Sequence, residues 1–285
     1  MTKLALNWND YECIDAGNKE KLERWKDVIL RRPDPQAVWT TDYKGWNKTE
    51  AIYHRSNKGG GSWEFNKKLP EYWTIDYKDL TFKVSPTNFK HTGIFPEQAV
   101  NWDWMMDVIS KETREIRILN LFGYTGCGSM ACSLAGAKEV VHVDASKGIL
   151  NWAKENMELC NLSNNTIRFI NDDAIKFVQR EKRRGKTYHG ILMDPPSYGR
   201  GPNNEMWKLE SQINDLIASC LEILDEKPLF FLVNSYTTGF SSTVLKNILD
   251  LSFDSGKIEA GEIGLPITKN NLILPCGIYG KWTND

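Results

Sequence analysis

Four acids stand where they could do chemistry. Asp144 ends the apolar run VVHVD, Asp172 and Asp173 follow RFIN, and Asp194 ends GILMD. A carboxylate at the end of a buried strand accepts hydrogen bonds from hydroxyls or an amine. Ahead of them, NLFGYTGCGS (120–129) places Gly123, Gly126 and Gly128 in one turn. Glycines in a strand-to-helix turn let the backbone approach a ligand, and the following helix offers free N–H groups. Asp144 comes 21 residues after Gly123, the spacing and residue type that meet a ribose diol. The turn reads G-x-x-G-x-G and not the G-x-G-x-x-G of dinucleotide sites, so the set fits a ligand with hydroxyls and an amine better than a pyrophosphate. Taken singly, the glycine turn is also an ordinary tight connection, and Asp144 also a helix cap. Capping does not explain acids at three successive strand ends.

The fourth strand end opens ILMDPPSYGRGPNN (191–204). Two prolines cannot continue a central strand or a helix interior, so the chain leaves the sheet here as a stiff loop. Tyr198 in that loop has a ring that could stack on a flat base or pack on a neighbouring helix.

The elements that position these residues are legible as a change of rhythm. Residues 73–84 alternate with period two on either side of Lys78-Asp79, which predicts a hairpin. RRPDP (31–35) predicts a turn and KGGGS (58–62) a loop. From Pro96 a helix is expected, with Val100, Trp104 and Val108 at four-residue spacing. Strands at 116–122, 140–144, 167–172, 190–194 and 228–235 then alternate with helices, one closed by Gly136 and another running from about 205 to 224. That alternation implies a parallel sheet covered on both faces. KIEAGEIGL and NLILPCGIYGKW follow with a short gap, as an antiparallel pair would. The expected fold is α/β: a Rossmann-like, doubly wound, mostly parallel sheet with an antiparallel C-terminal hairpin. A small β-rich module over 1–90 precedes a catalytic domain over 91–285.

A chain of 285 residues with 41% apolar and 26% charged residues has material for a core, and its net charge of -1 argues against a strongly basic nucleic-acid binder. The run REKRRGK (180–186) could meet phosphates, though such runs are usually solvated helix ends. No apolar run approaches the roughly 20 residues that span a bilayer, and MTKLALNWNDYEC lacks the apolar core of a signal peptide. A cytoplasmic protein without membrane contact is expected. The six cysteines form no C-x-x-C pair, so no metal site is expected.

The stretch NLFGYTGCGSMACSLAGAKEVVHVDASKGILNWAKENMELCNL, followed by FINDDAIKFV and ILMDPPSYGRG, resembles class I S-adenosylmethionine-dependent methyltransferases. It is most similar to the family that methylates carbon 5 of cytosine in large-subunit ribosomal RNA, and to shorter relatives. HTGIFPEQ (91–98) resembles that family's K-T-G-F-F-x-D-Q segment. The resemblance implies S-adenosyl-L-methionine as cofactor, held by Thr92, Phe95, Gln98, Phe122, Gly123, Thr125, Gly126, Asp144, Ala145, Asp172, Asp173, Ala174 and Asp194. In it Gly123, Thr125 and Gly126 line the methionine part, and Asp144 takes the ribose hydroxyls. Asp173 meets the adenine amine, with Ala174 against the ring and Asp172 as the alternative acid. Thr92, Phe95 and Gln98 close the cofactor. Asp194, Pro195, Pro196 and Tyr198 border the sulfonium and the acceptor as the catalytic set.

The chain departs from that family at three points. LVNSYTTG (232–239) places Asn234, Ser235 and Tyr236 where the cysteine nucleophile belongs. No pseudouridine-synthase-type RNA-binding domain is recognisable at the amino end, and Ala99 replaces an arginine. The expected activity is methylation of a base in RNA, ribosomal RNA above all, without a cysteine adduct. Transfer to a protein side chain or small molecule, or a cofactor- or RNA-binding protein that has lost catalysis, are the competing readings. The oligomeric state is not legible.

Overall fold

A computed structural model describes residues 2–56, 60–87, 90–200, 206–237 and 239–284. The chain forms two compact units. One comprises Thr2–Val100 and Ile263–Cys276; the other comprises Asn101–Glu262 and the residues from Gly277 onward.

The first unit is β-rich. Tyr11–Gly17, Glu20–Trp25, Val28–Pro33, Ala51–Arg55 and Gly61–Phe65 form a five-stranded sheet in chain order. All neighbours are antiparallel except Val28–Pro33 and Ala51–Arg55. The expected hairpin is present as Trp73–Tyr77 paired with Leu80–Val84, its turn carried by Lys78 at φ 52°. Of the loop expected at 58–62, residues 58 and 59 lie outside the described residues. Gly61 and Ser62 belong to the strand instead, opposite Arg55 and His54. The core of this unit contains a buried ion pair: Glu23 accepts from Arg32 Nε at 2.6 Å and Nη2 at 2.8 Å, and from the Tyr11 hydroxyl at 2.7 Å. Arg32 Nη1 donates to the Lys90 carbonyl at 2.7 Å, which fixes the start of HTGIFPEQ.

The second unit alternates as expected. Helix α1 (Ala99–Ser110) enters it after a single 3-10 turn at Pro96–Gln98. Then follow β1 (Arg117–Leu121), α2 (Cys127–Leu134), β2 (Glu139–Asp144), α3 (Lys147–Leu159), β3 (Ile167–Asn171), α4 (Ala174–Arg183) and β4 (Gly190–Met193). A short antiparallel pair, β5 (Tyr198–Arg200) and β6 (Met206–Lys208), precedes α5 (Leu209–Leu221). The chain ends with β7 (Phe230–Ser235), α6 (Ser242–Ser252), β8 (Lys257–Pro266) and β9 (Ile273–Thr283). The expected helix over 205–224 is thus shorter at both ends. Residues 206–208 pair as a strand, and Ile223 and Leu224 turn back to the strand side, where the Ile223 carbonyl accepts from Tyr188 N at 2.9 Å.

The sheet order is β8-β9-β7-β4-β1-β2-β3, extended beyond β8 by Lys3–Leu4, which pairs with Ile263 and Gly264 inside the β-rich unit. β3, β2, β1, β4 and β7 are parallel, and β9 runs antiparallel to β7. From β1 the chain winds outward to β3, then crosses back so that β4 lies on the other side of β1. Order reverses between β1 and β4, where ligands sit in doubly wound sheets. Leu119, Val141, Ile191 and Phe231, all 0% exposed, form one continuous layer with Ile213, Leu216 and Ile217 of α5 and with α4 residues. Among the described residues no helix is long and apolar enough to cross a membrane.

Candidate active site

The switch point is flanked by the two segments that carry the motifs: the glycine turn after β1 and the proline loop after β4. Parallel strands place the amino ends of α2, α3 and α4 at this same sheet edge, where free N–H groups and helix dipoles favour polar ligands.

The glycine turn is held in a strained shape. Phe122 and Tyr124 have φ of 55° and 50°, and Gly126 has φ of 88°. Each non-glycine residue in this region costs on the order of 1–2 kcal/mol, so the surroundings must hold it. Gly123 N donates to the Val143 carbonyl at 3.0 Å and Tyr124 N to Asp144 Oδ2 at 3.0 Å. The buried Asn156 amide donates to the Thr125 carbonyl at 2.8 Å. The Phe122 ring lies 5.4 Å from that of Trp207, centroid to centroid. Beneath the turn is His142. A Cβ added at Gly123 would lie 2.4 Å from its Cε1, so only glycine fits over this ring. Asn120 Nδ2 donates to Ser129 Oγ at 2.9 Å, and Ser129 Oγ bonds His142 Nδ1 at 2.9 Å, which locks the ring in place. Burial pushes the His142 imidazole down to about 4, so the turn rests on a neutral ring.

Asp144 is not the cap of α3. Ser146 fills that place, its hydroxyl accepting from Ile149 N at 3.4 Å. Asp144 instead takes the Tyr124 amide on one oxygen and the Ser146 amide, at 2.8 Å, on the other. One lone pair of each oxygen is thereby fixed, and the others are left able to accept further hydrogen bonds. Burial raises its pKa, and the two amide bonds pull it partway back. At the end of β3 the two acids divide. Asp173 caps α4, Oδ1 accepting from Lys176 N at 3.0 Å. Asp172 pairs with Arg180 at 2.5 Å and accepts the Asp173 amide at 2.9 Å. Its charge is already neutralised, whereas Asp173 keeps Oδ2 unengaged by any described residue. Ala174 is buried at the start of the helix, and Ala145 is exposed, its carbonyl accepting from Asn171 Nδ2 at 2.9 Å.

On the acceptor side, Asp194 is half-buried, Pro195 buried and Pro196 exposed. The Pro196 carbonyl accepts from Trp207 Nε1 at 2.5 Å. Ser197 Oγ bonds Thr237 Oγ1 at 2.7 Å, joining this loop to the segment after β7. There Ser235 is 2% exposed, and its hydroxyl accepts the Thr237 amide at 3.2 Å. Asn234 accepts from Asn101 Nδ2 at 2.9 Å. Asn234 and Ser235, two of the three residues at the missing cysteine's position, are therefore tied into the structure. Cys127, the first residue of α2, is buried, and burial pushes its thiol up to about 12. Residues 201–204 of the proline-loop motif lie outside the described residues.

Phe122, Gly123, Thr125, Gly126, Asp144, Ala145, Asp172, Asp173, Ala174 and Asp194 thus share one sheet edge. Thr92, Phe95 and Gln98 belong to the β-rich unit. There Thr92 is fully buried with its hydroxyl unpartnered among the described residues, Phe95 packs 5.3 Å from the His91 ring, and the Gln98 amide bonds the Phe95 carbonyl at 3.0 Å. Sequence reasoning missed Ser146, Asn156, Trp207 and the Asn120–Ser129–His142 chain. The basic run at 180–186 is largely paired: Arg180 with Asp172, Lys182 with Glu222 at 2.6 Å, and Arg184 with Glu181 at 3.0 Å.

A doubly wound sheet with a glycine turn after its first strand and carboxylates at the ends of the next strands is the frame of a nucleoside-binding α/β fold. A family profile described as S-adenosylmethionine-dependent methyltransferase matches residues 37–212, and the chain belongs to that family. A SAM-dependent methyltransferase from Agrobacterium tumefaciens superposes with a TM-score of 0.95 at 35% identity, covering 100% of this chain and 94% of that one. The SMU.776 structure, complexed with SAH, shares the fold (TM-score 0.76, 18% identity, 97% and 76% covered). Among curated relatives, the ribosomal RNA large subunit methyltransferase K/L of Shewanella oneidensis is 30% identical over 183 residues, 64% of this chain and 24% of the relative. That of Colwellia psychrerythraea is 26% identical over 221 residues, 76% and 28%. The chain spans about a quarter of the length of these curated relatives.

Proposed function

We propose that this protein methylates a base of RNA, with ribosomal RNA as the substrate class, at a nitrogen acceptor and without a covalent enzyme–RNA adduct. The observation that carries the mechanism is Ser235. It stands where related enzymes place a thiol, it is buried, and its oxygen accepts the Thr237 amide. A serine needs an adjacent general base to act as a nucleophile, and its bond partner here is a backbone N–H. A ring or exocyclic nitrogen needs no such nucleophile, because its own lone pair attacks.

S-adenosylmethionine, when bound, supplies a methyl group on a sulfonium. Asp144 holds the ribose diol, Asp173 through Oδ2 the adenine amine, and the strained turn from Phe122 to Gly126 the methionine part, with Ala145, Ala174 and Asp172 completing the wall. Asp194, with the carbonyls fixed by Pro195 and Pro196, orients the acceptor nitrogen and takes its proton. Tyr198 meets the plane of the base. Positioning of the two reactants supplies most of what a protein adds to an in-line transfer. The domain over 91–285 is assigned the chemistry, in the cytoplasm, and is preceded by the β-rich module over 1–90. The names of the curated relatives support the choice of RNA.

Labelled methyl transfer to total RNA, total protein and a metabolite pool, run in parallel with the full chain, tests this reading. Label in the RNA fraction that is lost in Asp194→Ala is expected. Label confined to protein or metabolites overturns the RNA substrate, and no label anywhere supports a lapsed enzyme.

A further inference from the structure

The β5–β6 pair begins three residues after Asp194-Pro195 and is not apparent in the sequence. Its register is Tyr198 opposite Lys208, Gly199 opposite Trp207, and Arg200 opposite Met206. Side chains alternate across a strand, so Gly199 and Trp207 share one face while Tyr198, Met206 and Lys208 share the other. The first face is anchored. Trp207 is 7% exposed, bonds the Pro196 carbonyl at 2.5 Å and lies 5.4 Å from the Phe122 ring of the glycine turn. A Cβ at Gly199 would lie 3.3 Å from Pro196, so that position is also closely packed.

The opposite face is open. Tyr198 is 51% exposed and Met206 54%, and Lys208 is exposed. Tyr198 makes no ring contact, and Lys208 no ion pair, with any described residue. About half of Tyr198 is therefore open to a ligand. An aromatic ring, a polarizable thioether and an ammonium, on one face of a two-stranded surface pinned to the glycine turn, match two parts of a nucleotide that need partners: the face of the base and the phosphate.

We propose that this outward face is the seat of an unpaired nucleotide of the acceptor RNA, with Tyr198 and Met206 against the base and Lys208 on an adjoining phosphate. The inference rests on the RNA reading above. An unpaired strand is required because in an A-form duplex the base faces are covered by their neighbours, and only a splayed base offers one to a side chain. The face reads no hydrogen-bonding edge, so it admits any base and leaves the choice of base to the Asp194 side.

The test is fluorescence anisotropy of the full chain, saturated with S-adenosylhomocysteine, on a labelled single-stranded oligoribonucleotide of about 12 nucleotides and on its duplex. The wild type is expected to prefer the single strand. Tyr198→Ala is expected to weaken binding on the order of 5- to 150-fold, while Tyr198→Phe, which keeps the ring, stays near wild type. Lys208→Ala is expected to lower the slope of log affinity against log salt by about 0.7. Calorimetry with S-adenosylhomocysteine should show unchanged cofactor affinity in all three, which certifies the fold. Preference for the duplex, or single-strand binding that neither Tyr198→Ala nor Lys208→Ala changes, overturns this inference and leaves the RNA reading standing. A wild type that binds cofactor and methylates protein but binds no RNA overturns both.

Discussion

At the scale of single residues, Asp144 and Ser235 look alike in the sequence, each a polar residue at a strand end, and the structure separates them. Asp144 is fixed by two amides with lone pairs to spare and is only partly buried; Ser235 accepts one amide and is almost wholly covered. Asp144→Ala should therefore weaken S-adenosylmethionine by roughly 30- to 150-fold, the equivalent of about 2 to 3 kcal/mol for hydrogen bonds to a charged acceptor. Calorimetry giving wild-type affinity in a folded variant would remove Asp144 from the site. Ser235→Ala, by contrast, should keep substantial transferase activity. No adduct should form with RNA containing 5-fluorocytosine, since Cys127, with its thiol pushed up to about 12, is almost wholly protonated at neutral pH. A denaturing-gel adduct abolished by Cys127→Ala or Ser235→Ala would restore cytosine carbon 5 as the target.

At the scale of elements, the glycine turn and its floor act as one piece. Gly123→Ala drives a methyl into His142 and should cost on the order of 1–3 kcal/mol of stability, visible as a lower melting temperature and a weaker cofactor affinity. His142→Ala removes the obstacle. The double variant should lose less than the two single changes added together, and strict additivity would show that the contact is not the cause. β2 and β4 were legible because a short, mostly apolar run that stops at an acid fits a buried strand, whereas β3, IRFIN with no fully buried residue, was placed by its position between two helical patterns. The turn's floor was not legible, since Asn120, Ser129 and His142 are isolated polar residues within apolar segments, and nothing local tells a satisfied chain of hydrogen bonds from chance. The choice of cap was also hidden. DAS and DDA each offer two side chains able to cap, and only the backbone decides that Ser146 caps in the first and Asp173 in the second. The β5–β6 pair escaped because three-residue strands hold too few alternations to count, and the helical spacing of Leu209, Ile213 and Leu216 reads smoothly back into them.

At the scale of the whole molecule, the longest-range connection was the least legible: residues 263–276 belong with the amino-terminal β-rich unit. Thr268 N and Lys269 N donate to the Cys13 and Ile14 carbonyls, each at 3.1 Å, and Asn270 Nδ2 to Asp15 Oδ1 at 3.2 Å. A chain starting at residue 91 strips these partners and uncovers Leu265, Ile267 and Leu274, each now at most 1% exposed. It should unfold without a sharp thermal transition, and a melt as steep as that of the full chain would contradict this. The charge balance makes a second demand. His142 in one unit and His91 in the other are both pushed down to about 4, chiefly by burial and, for His91, also by Arg32 and Lys90. An unfolded chain takes up these protons near pH 6.5, so between about 6.5 and 4 the unfolded state binds more protons than the folded one, and stability rises with pH. The contribution is complete above 6.5 and is lost as pH falls. Glu23, held down to about 2 by Arg32 and Lys21 against the desolvation that would raise it, loses its contribution only below the ordinary carboxylate range, so it stays out of the interval from pH 7 to 5 in which the histidines act. His142 alone should cost about 2 kcal/mol across that interval, read as a fall in the urea midpoint. In His142→Asn the fall should shrink by about that amount, and an unchanged pH dependence would mean that His142 is already protonated in the folded protein or accessible to water.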